Sequence, residues 1–334
     1  MTLIKRPGWE IPESRVTPEA AALGRRSLLG AGAGLAAGAV FASRAAHAAT
    51  QAAGPTATGP KAAGPKAAGL PPMNPPRNMT YRAGRALTAE KAAETYNNYY
   101  EFSQDKDLWR AAQKMTISPW EIRIEGLVAK PRTIGIDDLL RQVRLQERVY
   151  RHRCVETWAM TVPWTGFPMA DLVKLADPLG SAKYVVFTTV EEPKAMSGLD
   201  SPLFPFPYVE GVTMAEAMND LAFISVGLYG KPLPKQNGAP VRITLPWKYG
   251  FKSGKAFVKV AFTETQPKTF WAQIAPDEYG FWANVNPAVP HPRWSQATER
   301  LIGTNERVPT QIYNGYGPYV ASLYAGMKGD MLFR

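Results

Sequence analysis

Cys154 is the only cysteine among 334 residues and stands in the run Arg151-His152-Arg153-Cys154-Val155-Glu156. The thiolate, not the thiol, attacks electrophiles and binds metals, and nearby positive charge favours it. Arg151 and Arg153 would therefore lower the pKa of the thiol if both lie near it in space. A lone cysteine can also be a small buried hydrophobic residue without chemistry, and the run by itself leaves that alternative open.

The residues before Cys154 predict a strand, with Cys154 at or just beyond its end. Gln146 to Tyr150 have the composition of a half-buried strand, which puts Cys154 at the strand end or in the following loop. Trp158, Trp164 and Phe167 then supply an aromatic wall. Strand ends that open into irregular backbone are common places for catalytic groups.

The N-terminus has the pattern of an export signal. Arg25-Arg26 precedes an apolar run of 15 residues, 28–42, which is too short to span a membrane. Ala46-His47-Ala48 follows this run and has the A-x-A pattern of a signal-peptidase cleavage site. We predict a twin-arginine (Tat) signal peptide over 1–48 and a periplasmic protein exported in folded form. With one cysteine the exported chain has no internal disulfide, and a free thiol there is a liability unless a metal holds the sulfur.

The remaining chain divides into a linker and one domain. Residues 49–77 are rich in Ala, Gly, Pro and Lys and predict a flexible tether, because such a composition cannot bury enough apolar surface. Residues 78–334 predict a single catalytic domain. Beyond residue 48 there are 33 basic and 25 acidic side chains, but they are scattered and form no nucleic-acid motif.

Strand and helix patterns alternate irregularly and predict an α+β fold with long ordered loops. The predicted strands are 120–128, 183–190, 221–228, 241–245 and 256–263. The predicted helices are 88–93 with Thr88 as cap, a helix to about 143 capped by Asp137 or Asp138, 168–176, and 213–218. The C-terminal part, about 267–334, is predicted as loops covering the core.

Two loops have the composition of anion sites. Gln236 to Arg242 contains an Asn-Gly turn, and Pro246 to Lys255 is basic and contains glycine. Backbone N–H groups beside Lys and Arg suit phosphate, although ordinary hairpin turns explain each loop singly. Neither GxxxxGK[ST] nor GxGxxG occurs, which excludes a P-loop and a Rossmann nucleotide site.

The numbers of cysteine and histidine side chains exclude several kinds of metal centre. Once the predicted signal is removed, His152 and His291 are the remaining histidines, so zinc sites of the Cys/His kinds, iron–sulfur clusters and c-type haem cannot be built. A Cys-His hydrolase stays possible if His291 meets Cys154. A single thiolate suffices for a metal when a cofactor supplies the other ligands, as the dithiolene of a pterin does for molybdenum.

Taken together, six segments resemble the catalytic subunits of bacterial periplasmic molybdenum-dependent methionine sulfoxide reductases, of the sulfite oxidase superfamily fold. In order, the matching segments are 96–102, 153–156, 236–242, 246–252, 277–281 and 291–296. Each segment alone is a weak match to the family, but the order and spacing of the six together are specific to it. The resemblance covers the chain from about Asn78 to its end and implies an α+β molybdopterin-binding fold.

The resemblance also implies a site. Cys154 would ligate the molybdenum of one molybdenum-molybdopterin per chain, with Asn98 and Glu156 near the metal. The implied pterin- and phosphate-binding residues are Asn97, Tyr100, Glu101, Thr189, Asn237, Arg242, Ser253, Gly254 and Lys255. Ser253 is a departure, because the family pattern has glycine there, but binding through backbone N–H groups tolerates the change.

The implied reaction removes an oxygen atom: methionine sulfoxide, two electrons and two protons give methionine and water. We hypothesise that Glu156 relays a proton, since carboxyl groups near metal sites can be tuned towards neutral pH. Electrons would come from the family's haem-containing, quinol-linked membrane subunit, MsrQ. After the predicted signal no apolar segment is long enough to span a membrane, so the chain would dock on that subunit, and oxidised periplasmic proteins would be its substrates.

Three other functions remain alternatives. A sulfite dehydrogenase or oxidase would use the same cofactor in the opposite direction, but Val155-Glu156 follow the cysteine instead of the Gly- and Arg-rich sequence associated with those enzymes. An exported binding protein without redox chemistry and an enzyme with a nucleophilic cysteine are the others.

Overall fold

The computed structural model describes residues 73–334. The predicted signal peptide and residues 49–72 of the predicted tether lie outside the described residues, and the predicted domain boundaries stay predictions. The end of the predicted tether contacts the folded part. The Thr165 hydroxyl donates to the Met73 carbonyl at 2.8 Å, and the Asn78 N–H donates to the Glu147 carbonyl at 2.8 Å.

The fold is α+β with mixed sheets, as predicted. The strands are β1 (Glu121–Gly126), β2 (Arg132–Gly135), β3 (Gln146–Arg153), β4 (Trp158–Pro168), β5 (Tyr184–Thr189), β6 (Val209–Thr213), β7 (Phe223–Leu228), β8 (Lys231–Pro232), β9 (Arg242–Thr244), β10 (Phe257–Thr263), β11 (Thr298–Leu301) and β12 (Arg307–Pro309). The α-helices are α1 (Glu90–Thr95), α2 (Trp109–Ala112), α3 (Ile136–Gln142), α4 (Met169–Ala176), α5 (Met214–Ala217), α6 (Phe270–Ile274) and α7 (Gly317–Val320). None of the helices between residues 73 and 334 is both long and apolar enough to cross a bilayer.

The strands form two sheets. The five-stranded sheet has the order β2-β1-β10-β5-β6, with β1 and β10 parallel. The seven-stranded sheet has the order β12-β11-β4-β7-β8, and β3 and β9 pair with β4 and β7. Because β3 and β4 are antiparallel and in register from Gln146–Gly166 to Arg153–Ala159, the turn between them lies at one fixed end of this sheet.

β4 is the centre of the second sheet. Ten of its 11 residues are buried, and only Pro168 is half-exposed. A strand buried on both faces reads as a continuous apolar run without polar alternation. This stretch is the aromatic wall predicted beyond Cys154, so the wall is part of the core.

Most predicted elements are present, but several helix starts differ. Thr88 does not cap α1; its hydroxyl accepts from the Thr161 N–H at 3.0 Å, and Ala89 occupies the N-cap position. Neither Asp137 nor Asp138 caps α3, because the helix starts one residue earlier, at Ile136. Thr213 does cap α5, in a capping box with Glu216.

The C-terminal part is more regular than predicted. It contains β11, β12, α6, α7 and several 3₁₀ turns, and β11 pairs with β4 in parallel. These elements are shorter than the windows over which hydrophobic periodicity can be recognised, so long-range pairing decides them.

Candidate functional site

A cavity of about 770 Å³, partly open to solvent, lies at the end of β3. It brings together ten of the twelve predicted site residues: Asn97, Asn98, Tyr100, Glu101, Cys154, Glu156, Arg242, Ser253, Gly254 and Lys255. The other two, Thr189 and Asn237, do not line it. They support lining residues from behind.

Cys154 is held in a tight turn between β3 and β4. Its N–H donates to the Trp158 carbonyl at 2.9 Å, and its carbonyl accepts from the Thr157 N–H at 3.0 Å. The side chains of Trp294 and Gln296 each donate to the Val155 carbonyl at 2.8 Å. The sulfur is therefore presented by a backbone fixed from both sides.

The arginines beside Cys154 do not give the thiol a low pKa, because the condition of the prediction, that both lie near the sulfur, is not met. Arg151 points away and donates to the Ala83 carbonyl and to Gln311. Arg153 is fully buried and paired with Glu299 at 2.8 Å. Burial, with the nearby charge of Glu156, raises the pKa of the Cys154 thiol to about 12. In its protein surroundings alone this sulfur is a thiol, and a bound metal ion would supply the charge that stabilises a thiolate.

Asn98 and Glu156 stand close to the sulfur. The Asn98 amide nitrogen lies 3.5 Å from Cys154 Sγ. One carboxylate oxygen of Glu156 pairs with Lys106 Nζ at 2.6 Å, and the other accepts from Tyr100 OH at 3.4 Å. The carboxylate is thus held at the rim by a cation and a phenol.

Two buried cations, Arg242 and Lys255, lie in the cavity wall without an anionic partner. Arg242 donates to the carbonyls of Asn237 at 2.9 Å and Ser253 at 3.0 Å, and Lys255 donates to the Gln236 carbonyl at 3.1 Å. Among residues 73–334 neither cation has a carboxylate within 4.0 Å. Burial lowers the pKa of Arg242 to about 10 and lowers the pKa of Lys255 well below its usual range.

Behind the wall, polar side chains are tied together. The Thr189 hydroxyl donates to Glu101 Oε1 at 3.2 Å, and Asn237 Nδ2 donates to Asn97 Oδ1 at 3.2 Å. Burial raises the pKa of Glu101 to about 7. The Oδ1 atoms of Asn98 and Asn237 are buried without a hydrogen-bond partner in the described part of the chain.

These groups fit a molybdopterin. Buried cations are costly unless a negative group pairs with them, and a phosphate would provide that charge with strong hydrogen bonds. The unpartnered amide oxygen of Asn98, which lines the cavity, can accept from a pterin N–H group. The sulfur of Cys154 opens into the same cavity, so one ligand can reach all three kinds of group.

The sequence prediction missed His152 and, apart from Tyr100, the aromatic rim. Cys154 follows His152 by two residues, and residues spaced by two share one face of a strand, so this alternation could have identified the histidine. Burial, with the charges of Arg242 and Lys255, lowers the pKa of His152 to about 3, so its ring is neutral. Gly250 permits its position, because a Cβ there would lie 2.6 Å from His152 Nε2.

The rim aromatics come from distant parts of the chain. The Tyr100 ring lies 4.9 Å from the Trp271 ring, Trp271 lies 5.0 Å from Tyr279, and Tyr279 lies 5.3 Å from Phe251, as centroid distances. Phe204 adds a further edge, 5.6 Å from Tyr100. No local pattern joins these residues. The result is an apolar mouth above a polar floor, which is typical of small-molecule sites.

His291 does not form a dyad with Cys154. Its ring stacks on Trp294 with centroids 3.8 Å apart, and it is absent from the cavity wall. The Cys-His hydrolase alternative, which required His291 beside Cys154, therefore lacks that pairing.

Comparison with known proteins agrees with the chemistry of the cavity. Residues 110–271 match the family model described as oxidoreductase molybdopterin binding domain. A solved structure, the sulfane dehydrogenase SoxCD from Paracoccus pantotrophus, superimposes on 57% of this chain and 57% of its own with a TM-score of 0.40 and 15% identity.

Curated relatives match over nearly the whole chain. Proteins named protein-methionine-sulfoxide reductase catalytic subunit MsrP are 48% identical in Burkholderia mallei, over 96% of this chain and 95% of the relative, and 44% identical in Ralstonia nicotianae, over 97% and 98%. A third, from Xanthomonas campestris, is 49% identical over 74% of this chain and 79% of its own. The chain therefore belongs to the MsrP family of protein-methionine-sulfoxide reductase catalytic subunits, which confirms the resemblance seen in its sequence.

Proposed function

We propose that this chain is the catalytic subunit of a periplasmic reductase that repairs oxidised proteins by converting methionine sulfoxide to methionine at a molybdenum-molybdopterin centre. The observation that carries the proposal is the cavity wall, in which the single cysteine shares a pocket with two buried cations that have no carboxylate partner among residues 73–334. Relatives of this chain at up to 49% identity carry the reductase name.

Each part of the cavity has a task in that reaction. Arg242 and Lys255 would bind the cofactor phosphate, Asn97, Asn98, Tyr100 and Glu101 would hold the pterin, and Cys154 Sγ would be the protein ligand of the metal. Bound there, the cofactor supplies the two-electron chemistry that removes the sulfoxide oxygen. The rim aromatics Trp271 and Tyr279 would pack against the methyl and methylene groups of the substrate and against the thioether of the product, since sulfur–aromatic contacts are favourable.

Glu156 would deliver a proton to the departing oxygen. Its carboxylate is held beside Cys154 by Lys106 at 2.6 Å and by the hydroxyl of Tyr100 at 3.4 Å. We expect Glu156→Gln to lower kcat by about 100-fold at unchanged molybdenum content, the lower range for general acid catalysis. Steady-state assays beside metal analysis test this. If Glu156→Gln kept full turnover with molybdenum bound, Glu156 would not be the proton relay.

The location and the electron donor are part of the proposal. The twin arginine and the Ala46-His47-Ala48 site support export by the Tat pathway. We propose that electrons come from a haem-containing membrane subunit (MsrQ) that draws on the quinone pool. Fractionation of cells that express the chain with Arg25→Lys and Arg26→Lys tests export, since both substitutions together are expected to keep the protein in the cytoplasm.

The function is tested with two substrates. Purified holoenzyme with a reduced viologen dye should consume methionine sulfoxide and form methionine, and with an oxidised dye it should not consume sulfite. The opposite result would favour the sulfite dehydrogenase or oxidase alternative. If thiol alkylation of Cys154 proceeded in the presence of bound metal, the cysteine would not be a ligand.

A further inference from the structure

A second concavity lies on the far side of helix α6 from the catalytic cavity. This α6 groove encloses about 1050 Å³, including space open to solvent. Its lining residues are Gln266, Pro267, Lys268, Thr269, Ala272, Gln273, Pro276, Tyr279, Gly280, Phe281 and Met331. One of them is charged, and the others are apolar or neutral.

Thr269 offers the groove a polar atom without a partner. The residue is 1% exposed, and its hydroxyl oxygen makes no hydrogen bond within residues 73–334. It occupies the N-cap position of α6, where a threonine hydroxyl normally accepts from the helix, yet it makes no cap bond. A buried hydroxyl left unpaired is costly, and a ligand in the groove can pair with it.

The main chain beside Thr269 has unpaired N–H groups, although the carbonyls of Lys268 and Thr269 accept from Gln273. Gln266 to Thr269 leave β10 without regular structure, and Thr269 has extended dihedral angles, φ −86° and ψ 157°. Over the described range, the N–H groups of Gln266, Lys268 and Thr269 donate to no protein acceptor. An extended peptide can bind beside such a segment, because its main-chain carbonyls can accept hydrogen bonds from the unpaired N–H groups.

The groove borders the catalytic cavity at Tyr279. Tyr279 lines both, and α6 separates them, with Trp271 on the cavity side and Ala272 and Gln273 on the groove side. A polypeptide lying in the groove would pass the rim at Tyr279. A long side chain from that polypeptide could then enter the cavity towards Cys154.

We propose that the α6 groove binds the extended main chain on one side of the methionine sulfoxide in an oxidised polypeptide. This inference rests on the proposed function and adds where the neighbours of the oxidised residue bind. The groove's neutral lining favours a segment of apolar and uncharged residues. Free methionine sulfoxide would use the catalytic cavity only.

The test compares two substrates on the holoenzyme: free methionine sulfoxide, and a short uncharged peptide with one central methionine sulfoxide. Thr269→Val removes the unpaired hydroxyl, and Gln273→Trp fills the groove. The control is Gln142→Trp, because Gln142, like Gln273, is an exposed glutamine near a helix C-terminus that donates to the carbonyl four residues back. Molybdenum content and melting temperature are matched first.

We expect Thr269→Val to raise KM for the peptide about fivefold, the worth of one hydrogen bond, and Gln273→Trp to raise it further. KM for free methionine sulfoxide should stay constant in both, and Gln142→Trp should change neither value. An unchanged KM for the peptide in both groove variants would contradict the proposal that the α6 groove binds the peptide. An equal rise in KM for both substrates would contradict it as well. If the parent enzyme reduces neither substrate, the proposed function has failed instead.

Discussion

Cys154→Ser is expected to yield a folded protein without molybdenum and without sulfoxide reductase activity. The loss of activity should exceed about 100-fold, because removing groups that only support metal ligands already costs 10- to 100-fold. A serine hydroxyl is a poor substitute for a thiolate, which selects soft metals and is deprotonated on binding. Elemental analysis per chain, beside the parent protein, measures the effect.

The pterin gives this experiment a second readout. If Arg242 and Lys255 hold the phosphate, Cys154→Ser should retain part of the pterin while losing metal. The reciprocal variant, Arg242→Met with Lys255→Met, should lose pterin although the thiol is intact. Molybdenum bound at full stoichiometry by Cys154→Ser would show that the sulfur is not the protein ligand and would leave it a buried thiol.

Lys252→Met is expected to destabilise the protein by about 3–5 kcal/mol, the typical cost of leaving one partner of a buried ion pair uncompensated. Lys252 Nζ lies 2.5 Å from Glu210 Oε2, and the two side chains are 0% and 1% exposed. Lys252 precedes Ser253, so the pair also anchors the loop that lines the cavity. Burial already raises the pKa of Glu210, even with its lysine in place.

The loss of unfolding free energy in Lys252→Met should become smaller as the pH falls, because an unpaired Glu210 can take up a proton. The folded-state pKa is raised above the unfolded value, so the penalty is absent below the unfolded pKa and grows as pH rises through the folded one. Lys252→Met with Glu210→Gln should recover most of the stability, since both charges are gone.

Guanidinium denaturation at equal cofactor content measures these differences, because a bound cofactor itself adds stability. Lys183→Met is the control. Its pair with Glu264, at 3.1 Å, has both side chains about 60% exposed, and exposed pairs are worth less than about 1 kcal/mol. Equal losses in Lys183→Met and Lys252→Met would contradict the argument from burial.

Local pattern was sufficient for much of the scaffold. The strand before Cys154 and the turn after it follow from residues within about ten positions, as do α4, α5 and β5. The basic loop at 246–255 was also visible in the sequence as a candidate anion site, although its composition alone did not distinguish it from an ordinary hairpin turn. Recognising the family added specific roles for the residues around Cys154, since the order of the matching segments along the chain is itself informative.

The chemical state of the site could not be read from the sequence in the same way. Arg151 and Arg153 stand next to Cys154 in sequence, yet Arg153 is neutralised by Glu299, 146 positions away, and Arg151 points elsewhere. Burial raises the pKa of the Cys154 thiol to about 12, and the charge of Arg153 offsets only part of that rise. Charge acts through space, so neighbours in sequence do not determine it.

The amino-acid sequence by itself determined that there is one thiol, placed at a strand end and followed by a basic loop, and that the fold is α+β. The rim formed by Tyr100, Trp271 and Tyr279, the unpaired state of Arg242 and Lys255, and the groove beside Thr269 depend on tertiary contacts. Such contacts join residues that are far apart in the chain, and burial then sets the cost of every unpaired polar group they enclose.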